Sequence, residues 1–139
     1  MKESLKVADI MTHNVVVAGI NFSFTHASRL FFELSIHHLP VVNKEGVVVG
    51  MLSSHDVLKA YSFRAPMLKD LCEETLNTVF SVAELMTPDP ITISSDHKVQ
   101  EALEVFDKYH IHSLPVVDDG RLVGIITSHD LIKCCAVPS

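Results

Sequence analysis

The sequence is poor in several residue types, and each shortage excludes a class of protein. It has three cysteines, and 11 Lys and Arg residues against 17 acidic ones, which gives a formal net charge of −6. Such an acidic chain lacks the basic face with which proteins bind nucleic acid or an anionic membrane surface. No apolar run approaches the roughly 18 residues of a membrane span, and the first residues lack the continuous apolar stretch of a signal peptide.

Cysteine and histidine offer little metal or redox chemistry. Cys72, Cys134 and Cys135 have neither metal-ligand spacing nor the pattern of a disulfide framework, which indicates a reducing compartment, and we expect a cytoplasmic protein. The nine histidines include no H-x-x-x-H pair on a helix, so no metal site is expected. The chain also has no nucleophile elbow, Walker loop or dinucleotide glycine fingerprint, and we expect no catalytic residues and no enzyme.

What the chain does contain is an internal repeat. The segment from Val7 to Lys59 aligns with the segment from Val82 to Lys133 with one gap, at Glu45, and more than a third of the aligned pairs are identical. An internal repeat determines the architecture of a fold, because each copy forms the same structural unit. We therefore predict one repeat at 7–59, a connector at 60–81 and a second repeat at 82–133, with each copy covering the apolar face of the other.

Both repeats show the same order of elements. An apolar run at 15–17 or 91–93 is followed by a polar residue, Asn21 or Asp96, that we predict to be a helix N-cap, and then by apolar residues at helical spacing. Two short strands then surround the turns NKEG and DDG, and a second helix follows. The prediction is an α+β fold of two pseudo-symmetric β-α-β-β-α repeats that pack as one module.

The connector is expected to be helical. Pro66 suits the first turn of a helix. From Leu68 to Val79, apolar residues recur at a spacing that forms one stripe along a helix, with charged residues on the opposite face. We expect this helix to pack on the domain, with a partner-facing surface as the alternative.

The sharpest signal is the pair of segments GMLSSHD and GIITSHD, which end the two hairpins. In each, a buried strand ends at a hydroxyl residue, Ser53 or Thr127, and Asp56 or Asp130 follows three residues later in the first turn of a helix. The N-terminus of a helix suits a phosphate, and a carboxylate can accept two hydrogen bonds from a ribose diol. A carboxylate at this position is also a common helix cap, so a purely structural role for Asp56 and Asp130 is the alternative interpretation.

A second repeated signal, IHHLPVV and IHSLPVV, makes the family recognisable. Together with the M-T pair before each first strand and the G-x-x-[ST]-x-x-D segments, it resembles the cystathionine β-synthase (CBS) domain, here as a tandem pair covering Val7 to Lys133. The resemblance implies a flat module with two clefts between the copies, in which adenosine-containing ligands bind. It also implies that such modules form homodimers.

The resemblance carries specific residues over to this chain. The hydroxyl and Asp of each motif, Ser53 with Asp56 and Thr127 with Asp130, would hold phosphate and ribose. The remaining implied nucleotide-binding residues wrap the base beside the first strand or lie around the LPVV segment: Val16, Ala18, Ile91, Ile93, His37, His38, His112, Ser113, Pro40 and Pro115. Many relatives place Arg near LPVV, whereas this chain places His there, so a ligand with few phosphates is favoured.

These observations lead to one expectation and two alternatives. We expect a regulatory module without a required cofactor that binds an adenine nucleotide, AMP in preference to ADP or ATP. Its partners would be a second copy of itself and an enzyme or transporter that it regulates. The alternatives are a structural dimerisation unit with empty clefts and a sensor of S-adenosylmethionine or a metal.

Overall fold

The computed structural model describes residues 5–136, which form two compact units whose limits differ from those of the repeats. Unit 1 combines the described residues up to Val15 with those from Ile91 onward, and unit 2 is Val16–Pro90. Each unit therefore contains the short helix that begins the other repeat: Val7–Ile10 lies in unit 1 and Val82–Leu85 in unit 2.

The two units are built from corresponding elements. The elements of unit 2 are β1 (Ala18–Gly19), α2 (Phe24–Leu34), β2 (His38–Val42), β3 (Val48–Ser53), α3 (Ser54–Arg64), a 3₁₀ turn (Ala65–Met67), α4 (Glu73–Val79), α5 (Val82–Leu85) and β4 (Thr87–Pro88). The elements of unit 1 are α1 (Val7–Ile10), α6 (Val99–Tyr109), β5 (Ser113–Asp118), β6 (Arg121–Thr127) and α7 (Ser128–Ala136).

Strand pairing follows the same plan in both units. In unit 2 the order is β1-β2-β3-β4, with β1 parallel to β2 and the other two pairs antiparallel. In unit 1 the hairpin β5-β6 is flanked by single bridges, Ile93 parallel to Val116 and Thr12 antiparallel to Ile125. The predicted α+β class and the hairpins around the two turns are confirmed.

Each unit has its own core, and the helix that arrives from the other repeat contributes to it. Val7 is fully buried among Val99, Leu114 and Ile126 in unit 1. Val82 is buried in unit 2 with Leu39 and other apolar residues of α2, β2 and β3. Burial of these aliphatic side chains is the main stabilising term for each unit.

The first strand differs from the sequence prediction in the first repeat only. Strand pairing starts there at Ala18 instead of within 15–17, whereas in the second repeat the equivalent residue, Ile93, lies within the predicted run 91–93 and pairs with Val116. The predicted N-caps are wrong as well. Asn21 lies in a turn, and the hydroxyl of Ser23 caps α2 by accepting from the His26 N–H.

In the second repeat Asp96 is likewise not the cap. It lies in a turn closed by the His97 N–H and the Ser94 carbonyl, and α6 begins after Lys98. The Glu101 carboxylate accepts from the Lys98 N–H at 3.5 Å. A bridge between Lys98 and Lys6 holds the chain extended up to that point, so the helix cannot begin earlier.

The loop before α6 is fixed by one carboxylate. Asp118, at the end of β5, accepts from the Ser95 hydroxyl at 2.5 Å and from the Ser95 N–H at 2.9 Å. These two hydrogen bonds hold the pKa of Asp118 below its ordinary 3.8. Because the pKa is lowered in the folded state, the stabilisation is present above about pH 3.8 and is lost as the pH falls further.

The connector is helical over a shorter span than predicted. Pro66 lies in the 3₁₀ turn that extends α3, and α4 begins only at Glu73. Helix α4 packs on α2, as expected, through a reciprocal pair: Asn77 accepts from the Thr25 N–H at 2.9 Å and donates to the Thr25 hydroxyl at 3.0 Å.

Candidate functional site

The motif in unit 2 lies where β3 passes directly into α3. Ser53 ends the strand and caps the helix, and its hydroxyl accepts from the Asp56 N–H at 3.0 Å. The first helical N–H, that of Ser54, donates to the His37 carbonyl at 2.9 Å. The His37 ring lies at the same place, with Nδ1 3.4 Å from the Ser54 hydroxyl. The fold thus brings the two sequence motifs of this repeat together.

The motif in unit 1 has the same arrangement with additional hydrogen bonds. The Asp130 N–H donates to the Thr127 hydroxyl at 3.3 Å, and the Ser128 N–H donates to the His112 carbonyl at 2.9 Å. The Asp130 carboxylate in turn accepts from the N–H and the hydroxyl of Thr127, at 2.9 and 3.2 Å. This reciprocal pattern is a capping box.

Thr12 is a further residue at this junction, and its role was not identified from the sequence. Its hydroxyl lies 3.5 Å from Asp130 Oδ1. The sequence signal that could have indicated a role for Thr12 is the Met-Thr pair, which occurs near the start of both repeats. Spacing along the chain gives no indication that Thr12 lies beside a residue more than a hundred positions away.

The other predicted ligand residues divide by burial. His38 and Ser113 are half-buried and stand opposite Ser53 and Thr127 in their hairpins. Val16 and Ile91 are accessible to solvent. The side chains in the core are Ala18, Pro40, Ile93 and Pro115. A ligand in contact with these four positions would meet mainly their backbone.

The glycine of each motif has a packing reason. A Cβ at Gly124 would lie 2.5 Å from Met11 Sδ and 2.9 Å from the Thr12 carbonyl oxygen. A Cβ at Gly50 would overlap the side chain of Met86, the equivalent methionine. The M-T segment therefore crosses the last strand where only glycine fits, and this contact holds the segment beside the motif.

Unit 2 also carries an apolar groove of about 830 Å³ between α2, α3 and α4. Phe32 and Leu58 on its wall are 85% and 62% exposed, which is unusual for large apolar side chains. The lining residues are Phe24, Thr25, Ser28, Arg29, Phe31, Phe32, Ile36, His37, Ser54, His55, Val57, Leu58, Tyr61 and Leu76. His37 and Ser54 belong to both the groove and the motif, so the two features are contiguous.

Metal-ligand clusters and helices that could span a membrane are both absent from the described residues. Within residues 5–136, His, Cys, Asp and Glu side chains do not gather in any group of three or more that could hold a metal ion. The helices of the same range are all too short or too polar to span a bilayer.

Fold and motifs together define a tandem α+β repeat module with one polar strand-to-helix junction in each repeat. The CBS domain family matches residues 7–62 and again 82–136, and the chain belongs to this family. The family recognised from the repeated motifs is thereby confirmed.

Its relatives include both short and long proteins. The protein MJ1426 of Methanocaldococcus jannaschii is 32% identical over an alignment of 154 positions, which covers 94% of this chain and 91% of that protein. A homoserine O-acetyltransferase of Methanococcoides burtonii is 34% identical over 126 residues, which cover 90% of this chain and 23% of that protein. The chain thus spans about a quarter of the length of the first curated relatives that it matches.

Two solved structures connect the fold with ligands. The CBS domain pair of protein MJ0100, in complex with 5′-methylthioadenosine and S-adenosyl-L-methionine, is 32% identical with a TM-score of 0.78 and covers 94% of this chain and 99% of its own. CBSX2 in complex with AMP is 26% identical with a TM-score of 0.76 and covers 94% of this chain and 96% of its own. Relatives of this module therefore bind adenosine compounds.

Proposed function

We propose that the chain is a regulatory module that binds an adenosine-containing nucleotide, AMP in preference to ADP or ATP. The observation that carries the proposal is the strand-to-helix junction, present once in each unit, at which a hydroxyl residue and a half-buried Asp meet the start of a helix. Two structural relatives of the same family hold adenosine ligands.

The junction residues suit the parts of such a ligand. The carboxylates of Asp56 and Asp130 can accept hydrogen bonds from the two ribose hydroxyls. The start of α3, with the hydroxyl of Ser53, offers donors and the positive end of a helix dipole to a phosphate. His37 stands beside it. Only three arginines are present in the whole chain, so a monophosphate is a better match than a triphosphate.

The output of such a module is a coupling between sites instead of a reaction. Ligand binding at the junction would alter an interaction with an enzyme or a transporter, and the chain itself would be non-catalytic with no required cofactor. S-Adenosylmethionine is the second candidate ligand, because the relative MJ0100 binds it and is 32% identical to this chain.

Titration calorimetry of the whole chain with AMP, ADP, ATP, S-adenosylmethionine and 5′-methylthioadenosine tests the proposal. We expect AMP to bind in the micromolar range and to raise the melting temperature, because a ligand that binds only the folded state stabilises it by mass action. If no adenosine compound binds below millimolar concentration, the proposal is wrong.

We propose further that the module is a homodimer that buries the apolar groove of unit 2. Large exposed aromatic and aliphatic side chains such as Phe32 and Leu58 are typical of interfaces, where they are removed from water. The equivalent of Phe32 in the second repeat is Asp107, so the apolar character at this position is confined to one copy.

Light scattering at micromolar concentration should then give about twice the chain mass of 15.4 kDa. The variant Phe32→Asp should shift the mass toward that of one chain, because a buried unpaired carboxylate opposes association. Val47→Asp is the matched control, since Val47 is 46% exposed but lies outside the groove. A wild-type mass of one chain, or equal effects of both variants, would contradict this interface.

A further inference from the structure

The two copies of the motif contain the same kinds of residue in different hydrogen-bonding states. In unit 1, Asp130 Oδ2 accepts from the Thr127 N–H at 2.9 Å and from its hydroxyl at 3.2 Å. In unit 2, the Asp56 N–H donates to the Ser53 hydroxyl. The carboxylate of Asp56 accepts no hydrogen bond from any residue between 5 and 136.

The M-T segments show the same difference. The Thr12 hydroxyl lies 3.5 Å from Asp130 Oδ1, and its backbone exchanges two hydrogen bonds with Ile125, at 2.8 and 3.0 Å. Thr87 is the equivalent residue in unit 2, where it lies in β4 and its backbone pairs with Met51 in the same way. Across the described chain, its hydroxyl makes no hydrogen bond to Asp56. Thr12 therefore touches the carboxylate of its motif, and Thr87 does not.

This difference matters for a ligand that donates two hydroxyl groups to a carboxylate. Both oxygens of Asp130 already have donors within unit 1, so a diol must displace or share them. The Asp56 carboxylate is half-buried and accepts nothing from the described residues, so a diol that replaces water there breaks no hydrogen bond within the described part of the chain.

We propose that the motif with Asp56 is the ligand-ready site, which means the site that binds the ligand more tightly. At the motif with Asp130, the hydrogen bonds from Thr127 and Thr12 occupy the carboxylate and weaken ligand binding. Thr12 is thus a positioning residue that sets the affinity of the second copy. The inference rests on the proposed function, because it assigns unequal roles to the two junctions of that same module.

Titration with AMP of the variants Asp56→Asn and Asp130→Asn tests the assignment. Asp56→Asn should weaken the tightest binding by about tenfold or more, which is the effect of losing hydrogen bonds to a charged group. Asp130→Asn should change it by less than about threefold. Equal losses, or a larger loss for Asp130→Asn, would overturn the inference while leaving the proposed function intact.

The role of Thr12 is tested in the Asp56→Asn background, with Thr87→Val as the matched control. Thr12→Val removes one donor from Asp130 and should raise the residual AMP affinity about threefold, whereas Thr87→Val should leave it unchanged. Indistinguishable affinities in the two double variants would show that Thr12 does not restrain the second copy.

A ligand-free measurement separates this inference from the proposed function. Without nucleotide, Asp130→Asn should lower the melting temperature by about 3 °C or more relative to Asp56→Asn, because only Asp130 completes a capping box. Equal melting temperatures would contradict the proposed difference in hydrogen bonding between the Asp130 and Asp56 carboxylates. If the wild type binds none of the adenosine compounds, the proposed function is wrong, and the assignment of a ligand-ready site is wrong with it.

Discussion

The double variant Asp56→Ala with Asp130→Ala is expected to lose most of the affinity for AMP. Hydrogen bonds to a charged group contribute about 1.5–3 kcal/mol each, so removing both carboxylates should weaken binding by at least about tenfold. Titration calorimetry against the wild type measures the loss.

The control must separate ligand contact from helix stability, because each Asp also lies in the first turn of a helix. Glu101→Ala removes the carboxylate that accepts from the Lys98 N–H at the start of α6, outside the motifs. This variant should lower stability by a fraction of the roughly 1 kcal/mol typical of a cap and leave AMP affinity unchanged. An unaltered affinity in the double Asp variant would remove both residues from the site.

Gly124→Ala is expected to be the most destabilising conservative change in the motifs. The added Cβ would meet Met11 Sδ at 2.5 Å and the Thr12 carbonyl oxygen at 2.9 Å, and the Thr12 backbone is fixed by its pairing with Ile125. Overpacking of this kind costs about 1–3 kcal/mol, and a fixed backbone atom favours the upper end. Urea unfolding measures the change in the free energy of unfolding.

Gly50→Ala is the matched comparison, because the three atoms nearest to its Cβ would all belong to the side chain of Met86. It should destabilise less than Gly124→Ala, since a methionine side chain can move. Adding Met86→Ala should recover part of the loss in a double-mutant cycle, whereas Met11→Ala should recover less in the Gly124→Ala background, because the carbonyl oxygen stays in place. Equal recovery in the two cycles would contradict the assigned role of the Thr12 backbone.

Much of the fold could be predicted because it depends on local pattern. The two hairpins follow from apolar runs on either side of short polar turns, and the helices α2 and α6 follow from apolar residues at helical spacing. The caps of those helices could not be predicted in the same way. Asn21 and Asp96 have suitable side chains, but turns fix their backbone, and bridges at Ser23 and Lys98 decide where the helices begin.

The junctions of Ser53 with Asp56 and of Thr127 with Asp130 could also be predicted, because three residues at the start of a helix fix their own geometry. The groove of unit 2 could not be predicted. Phe32 directly follows the buried Phe31, and its exposure depends on which element packs against α2. Spacing along a helix defines a face but not the element that covers it.

The sequence by itself determined the repeat, the family, the hairpins and main helices of each copy and the two polar junctions, because all of these depend on residue types at short spacing. Only the tertiary structure decided that the M-T segments of the two repeats are exchanged between units, so that Met11 crosses Gly124 and Thr12 reaches Asp130. Those contacts join residues more than a hundred positions apart, and they are selected by which buried surfaces fit together.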